Sequence, residues 1–209
     1  MKKETSTMMQ KMGFNDEDLK TPKHDELCLW FNQNYKQILK RNLFGDIMIH
    51  YLHRTYPSIL KGYLDQNNPE NLKGKELKEY ERCKTEYDRI REYLLKHIED
   101  SKLKWEYVFS KKGYILGSVD FYISLGNSDI ELFIEVKPEI RSIGETIRQV
   151  NVYKDYAIQE HSHSCTPYSN YENNYDRIPT QFFVLVTTSK GKELVDLFRS
   201  QNILVLEVD

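Results

Sequence analysis

The sequence has no apolar run that approaches the ~20 residues a membrane span requires. Its amino terminus, MKKETSTMMQKMGF, lacks the apolar block of a secretory signal. Both absences argue against membrane insertion and secretion. Cysteine is scarce: Cys28, Cys83 and Cys165 are odd in number and far apart, which argues against a disulfide framework and fits reduced thiols in a cytoplasmic protein. A basic excess is missing too, with 30 Lys and Arg against 32 Asp and Glu and a net charge of −2. That balance does not advertise a nucleic-acid binder, although binding depends on where charges cluster and not on their sum. The sequence shows no internal repeat. The phosphate-loop pattern G-x-x-x-x-G-K-S/T has no counterpart, and Ser189-Lys190-Gly191-Lys192 approaches it only loosely.

What is present suffices for a packed core. Of 209 residues, 39% are hydrophobic and 12% aromatic, and a chain of this length hides roughly 70% of its unfolded surface. Residues 1–20 carry few strong apolar residues and read as a tail. Thr21-Pro22 is a helix start, with Thr as N-cap and Pro at the first helical position. Leu27, Trp30, Phe31, Ile38 and Leu39 then follow at helical spacing. The segment 43–65 is apolar and helical with a break near Pro57, DQNNPENLKGK (65–75) is a loop, and 75–100 is a helix with Leu77, Tyr80, Tyr87, Ile90, Leu94 and Ile98 near one face.

After Ser101 the pattern changes to strands. Lys104–Ser110, residues 114–125 and Ile130–Lys137 read as three strands, the last two joined by the turn Gly126-Asn127-Ser128-Asp129. Ser142-Ile143-Gly144-Glu145 fits a capping box and opens a helix to about Gln159. A polar, tyrosine-rich loop (161–179), a strand (181–188), a helix (190–200) and a strand (203–208) complete the chain. The expected class is α/β, behind a helical amino-terminal part.

Chemistry concentrates in the strands. An acid two residues before a lysine occurs at Asp18, Glu76, Asp100 and Glu135. In this charged chain the first three read as solvated pairs. Glu135 and Lys137 instead interrupt Leu132, Phe133, Ile134 and Val136, and a strand puts residues two apart on one face. A half-exposed strand with an innocent ion pair is one reading. Burying the pair costs several kcal/mol unless it is compensated or binds a metal. Asp120 lies in the middle of the preceding apolar strand, so one hairpin delivers two carboxylates and a lysine to one place. Phosphodiester hydrolysis asks for that set: oxygen ligands for Mg²⁺, a metal that activates water and a cation to orient the water or offset charge on phosphorus.

Asp120, Glu135-x-Lys137 and the following helix with Gln149 and Tyr153 resemble the PD-(D/E)XK, or restriction-endonuclease-like, nuclease superfamily. The resemblance covers about residues 104–208, and Val119 stands where the family pattern has proline. It implies an αβββαβ core, a mixed central sheet flanked by helices, over 104–209. Residues 21–103 would supply the first core helix and an insertion. The phrase TPKHDEL with GYILGSVDFYI, IEVKP and GETIRQ is similar to small nucleases of viral and mobile-element type. That implies a further metal-binding acid on the first core helix, for which Glu26 competes with Glu86 and Glu92. Glu26 is equally explained by the helix dipole, and His24 reads as a surface residue near the cap.

The implied activity is a metal-dependent DNA endonuclease, with Asp120, Glu135 and Glu26 binding Mg²⁺ or Mn²⁺ and Lys137 positioning water. Gln149 and Tyr153 would orient phosphate or lysine, and Arg141, Arg148 and Lys154 would contact DNA. No organic cofactor is implied. A monomer suffices to nick, whereas a double-strand cutter needs a homodimer. The alternatives are a catalytically silent nuclease-like module that binds nucleic acid or protein, and an RNase on the same fold. His161-Ser162-His163-Ser164-Cys165 lacks a partner pair for structural zinc, and His50 and His53 read as core or surface histidines. Twelve basic and nine acidic residues between Lys73 and Lys112, interleaved with aromatics, form either a phosphate-binding face or a solvated helix.

Overall fold

A computed structural model describes residues 22–64, 69–126, 129–161 and 179–208. Helix α1 (Pro22–Ile38) has Pro at its start, where a missing N–H costs nothing, and Asp25 in its first turn. It runs through a π-helical stretch, Leu39–Leu43, into α2 (Phe44–Thr55). The chain breaks at Tyr56 (φ −137°, ψ 56°), which leaves the helical region that a residue before proline disfavours. Pro57 then opens α3 (Pro57–Tyr63). Helix α4 (Lys75–Asp100) buries Cys83, Ile90, Leu94 and Ile98, a single stripe at spacings of seven and four. Leu77 was expected on that stripe but lies 36% exposed near the helix start.

Strands β1 (Leu103–Lys111), β2 (Tyr114–Leu125), β3 (Ile130–Val136), β4 (Thr180–Thr187) and β5 (Ile203–Glu207) form one mixed sheet in sequence order. β1, β2 and β3 run antiparallel as a meander. β3, β4 and β5 are parallel, with α5 (Ile143–His161) and α6 (Lys192–Ser200) as the crossovers that parallel pairing requires. The element order is thus the α/β order read from the sequence. Helices α1 to α4 cover one face of the sheet, packing Phe31, Leu39, Ile47 and Leu94 on Phe121, Ile123, Leu132, Ile134 and Val184. On the opposite face Val150, Ala157 and Phe198 of α5 and α6 meet Phe109, Tyr122, Phe133 and Leu185. Burying a phenylalanine such as Phe31, whose ring lies 5.3 Å from that of Phe121, contributes roughly 1.5–3 kcal/mol. Among the described residues no helix is long and apolar enough to cross a membrane.

Central strand β3 is buried along its whole length, because both faces of its neighbourhood carry helices. The half-exposed alternative for Glu135 is thereby removed. The tail 1–20, the Thr21 cap and Ser162 to Cys165 lie outside the described residues.

Candidate active site

Two irregularities of the sheet create the site. The first is a face switch in β1 and β2. Trp105 and Phe121 pair across the strands and face helices α1 to α4, while Tyr107 and Val119, the flanking pair, face α5. A regular strand would send residues two apart to the same side. Between them Glu106 adopts a left-handed φ of 50°, and the register passes over Glu106 and Asp120 without pairing them. Non-glycine residues in that conformation carry local strain. Asp120 therefore leaves the alternation that would have placed it squarely on one face.

The second irregularity is a fork between β2 and β3. Their backbone pairing reaches Phe121 with Ile134 and goes no further toward the Glu135 end. The amide of Val136, which the ladder leaves over, donates instead to Asp120 Oδ2 at 2.7 Å. Asp120 and Glu135 are 4% and 8% exposed, so two acids sit in the mouth of the opened hairpin. Lys137 follows Val136, and its Nζ stands 3.5 Å from Glu135 Oε1 with part of the side chain still open to solvent. The lysine backbone is held from the other side, since its amide donates to Val186 O at 2.8 Å. Beyond it, the amide of Ile140 donates to Ser189 Oγ at 2.9 Å. The expected sharing of a face by Glu135 and Lys137 is thus realised.

Helix α5 supplies the next layer. Its start carries half of the expected capping box, the Glu145 amide donating to Ser142 Oγ at 3.4 Å. One turn on, Gln149 Nε2 donates to Glu135 Oε1 at 3.0 Å and to Tyr153 OH at 2.5 Å. Gln149 and Tyr153, four residues apart, lie on one helix face as their spacing predicts. Burial, reinforced by the charge of Glu135, pushes the Tyr153 phenol up to about 12, so it is a neutral hydroxyl at ordinary pH. Close packing here depends on Gly117: a Cβ at that position would come within 3.1 Å of the Tyr156 ring and 3.7 Å of the Tyr153 ring.

A second buried glutamate on β3 shows the contrast. Glu131 accepts from Tyr122 OH at 2.8 Å and from Gln181 Nε2 at 3.2 Å, at the closed end of the hairpin. Neutral side-chain donors within the core serve it. Glu135 has instead a lysine and an amide at the open end of the strand.

Not every residue named from the sequence arrives. Glu26 is exposed, because two residues along a helix turn the side chain by about 200° from the buried face. His24 occupies that face instead. It is 8% exposed, not a surface residue, and its Nε2 lies 3.4 Å from Asp120 Oδ2. Cys28, one turn later and also buried, places Sγ 3.7 Å from the same nitrogen. Glu86 is ion-paired with Arg89 at 2.9 Å and Glu92 is exposed, so neither resembles a buried ligand. Lys154 is turned to the other end of the sheet. Its Nζ donates to Gln201 O at 2.5 Å and sits over the Phe183 ring, and burial lowers its pKa. Arg141 and Arg148 are exposed, the former beside Glu139 at 3.5 Å. His50 and His53 are exposed. With Asp46, Arg54 and Arg199 they line a cleft of about 550 Å³ near Thr180, the opposite end of the sheet from Glu135.

His24 and Cys28 are what sequence reasoning missed. A signal existed: both share a helical stripe with Phe31, at spacings of four and three, and a polar residue on a buried stripe needs a reason. Comparisons with protein-family models, with curated proteins and with solved structures find no match for this chain.

Proposed function

We propose that the chain is a metal-dependent deoxyribonuclease of the PD-(D/E)XK type, an endonuclease that hydrolyses DNA phosphodiester bonds. The observation that carries this reading is the fork: two buried carboxylates from adjacent strands, a lysine beside one of them, and a glutamine–tyrosine pair from the crossover helix. The sheet order and the two layers of helices agree with the core that the resemblance implies.

The donor set fits Mg²⁺ at Asp120 and Glu135, since this ion takes one or two carboxylates and keeps several waters. Mn²⁺, more tolerant of nitrogen, fits the same pair next to His24. When bound, such an ion polarises a phosphoryl oxygen and acidifies a water. The protein's own part is positional. Val136 N–H fixes the Asp120 carboxylate, and Gln149 fixes that of Glu135. Lys137, pinned through its backbone, presents an ammonium that orients the attacking water and offsets charge on phosphorus. Tyr153, a neutral donor, steadies Gln149 and can bond a phosphate oxygen. Arg141 and Arg148 are exposed for backbone contact with DNA, a role that Lys154 is not placed to share. One site cuts one strand, so a nick needs one copy and a double-strand break two.

The test is cleavage of supercoiled plasmid, linear duplex, single strand, flap and four-way junction, with parallel RNA substrates, in Mg²⁺ or Mn²⁺. Wild type is expected to cut DNA, and Lys137→Ala and Asp120→Asn to abolish cutting. Pure wild type that cuts nothing, or cutting that survives both substitutions, overturns the proposal. DNA binding without cleavage would move the reading to a binding module, and preference for RNA would move it to a ribonuclease.

A further inference from the structure

We infer that His24, Cys28 and Asp120 form a binding site for a thiophilic divalent cation of the Zn²⁺ class. It is separate in chemistry from the Mg²⁺ proposed above and stands whether or not the chain cuts DNA. The side chains come from one turn of α1 and from the irregular centre of β2, and all three are buried. One ligand atom from each lies within 4.8 Å of the other two. Around a tetrahedral zinc, with bonds of about 2.0–2.3 Å, neighbouring donor atoms lie about 3.3–3.6 Å apart. Here His24 Nε2 stands 3.4 Å from the carboxylate oxygen, and Cys28 Sγ lies 3.7 Å from Nε2 and 3.5 Å from Nδ1. The carboxylate separation matches that of two donors on one ion, and a rotation of the Cys28 side chain toward Nε2 completes the set.

The other nitrogen of the ring supplies an independent sign. A metal-ligating histidine nearly always presents its second N–H to a carboxylate or carbonyl, which fixes the tautomer and raises the basicity of the ligating nitrogen. His24 Nδ1 lies 3.4 Å from Asp25 Oδ1 and 3.5 Å from Cys28 Sγ, so a carboxylate outside the ligand set is within reach of the second nitrogen. A thiolate and a carboxylate together neutralise a dication, which lowers the cost of burying it. Thiolate sulfur and imidazole nitrogen select zinc or another late first-row ion over magnesium, which prefers oxygen. Three protein ligands leave a fourth position to water.

Asp120 then belongs to two neighbourhoods. Its Oδ2 faces His24 and the Val136 amide, and the carboxylate as a whole stands with Glu135 at the fork. A Zn²⁺-class ion on the α1 side would tie the first helix to the sheet at the same residue that the proposed catalysis needs.

The experiment uses metal-stripped full-length protein titrated with Co²⁺ as a spectroscopic stand-in for Zn²⁺, and with Zn²⁺ in thermal denaturation. One equivalent of Co²⁺ should give thiolate-to-metal charge-transfer absorption and tetrahedral ligand-field bands, both displaced by Zn²⁺. Cys28→Ser should remove the charge-transfer absorption, whereas Cys165→Ser, which disables the His161–Cys165 segment, should keep it. Asp25→Asn, at a half-exposed side chain and so harmless to folding, should weaken Zn²⁺ by 10–100-fold. Zn²⁺ should raise the wild-type unfolding midpoint by several degrees. Absence of the thiolate absorption in wild type, its survival in Cys28→Ser, or its loss in Cys165→Ser would each overturn the assignment. Should Cys28→Ser fail to fold, unchanged Zn²⁺ affinity in Asp25→Asn overturns it alone.

Discussion

Replacing Asp120 by alanine and by asparagine separates what the carboxylate does for the sheet from what it does for chemistry. Its Oδ2 accepts the Val136 amide at 2.7 Å where the β2–β3 ladder has opened. Alanine leaves that N–H buried and unpaired, at about 1–3 kcal/mol, and removes side-chain volume from a site 4% exposed. A loss of about 2 kcal/mol lowers the unfolding midpoint by roughly 4–8 °C in a chain of this size. Asparagine keeps a carbonyl oxygen for the amide and should stay within about 1 kcal/mol of wild type by the same reasoning. Both variants lose the charge, and both should lose cleavage. Thermal and urea denaturation of the three proteins, followed by circular dichroism under metal-free conditions, reads the difference. Equal destabilisation by alanine and asparagine would refute the structural role assigned to the carboxylate oxygen, as would an alanine variant as stable as wild type.

Two further predictions concern titration and charge. Burial is the leading cause of raised pKa values at Tyr51, Tyr107, Tyr122 and Tyr153, the last to about 12. An unfolded tyrosine ionises near pH 10, so in the interval above it the folded state holds more protons, and stability falls as pH rises. The unfolding midpoint should decline steadily from about pH 10, with a shallower decline in Tyr153→Phe; a flat profile to about pH 12 would sink this. On DNA, Arg148→Ala should reduce the slope of log affinity against log salt by about 1, while Lys154→Ala leaves it unchanged because its ammonium is bonded to Gln201 O. Equal effects of the two substitutions in a salt titration would contradict the placement of Lys154.

Glu135 and Lys137 were legible because charge stands out within an apolar strand, and Asp120 because a short turn fixes which strand it shares. Gln149 and Tyr153 were named by the family resemblance, and helical spacing put them on one face. Helix α4 and the break at Pro57 followed from periodicity and proline geometry. The first helix was misread at finer grain. The resemblance points to the acid Glu26, whereas the angle per residue sends Glu26 outward and His24 and Cys28 inward. No local pattern could reveal that His24 meets Asp120, a partner 96 residues away. The face switch at Glu106 and Asp120 was equally hidden, since a left-handed residue other than glycine leaves no compositional mark. Lys154 shows a different failure: proximity in sequence to Gln149 says nothing about which end of a long helix a side chain serves.

The hairpin that carries both acids has a consequence for how the sequence can change. Asp120 and Glu135 stand one residue beyond the last backbone pair of the hairpin, Phe121 with Ile134, while the turn at Gly126 to Asp129 lies at the other end. Residues added or lost at that turn would alter the loop and leave the two carboxylates aligned. A single residue inserted within either strand would carry one acid to the opposite face of the sheet. Tolerance to insertion should therefore fall sharply between the turn and the strands, a boundary drawn by pairing register and independent of how close a residue lies to the acids.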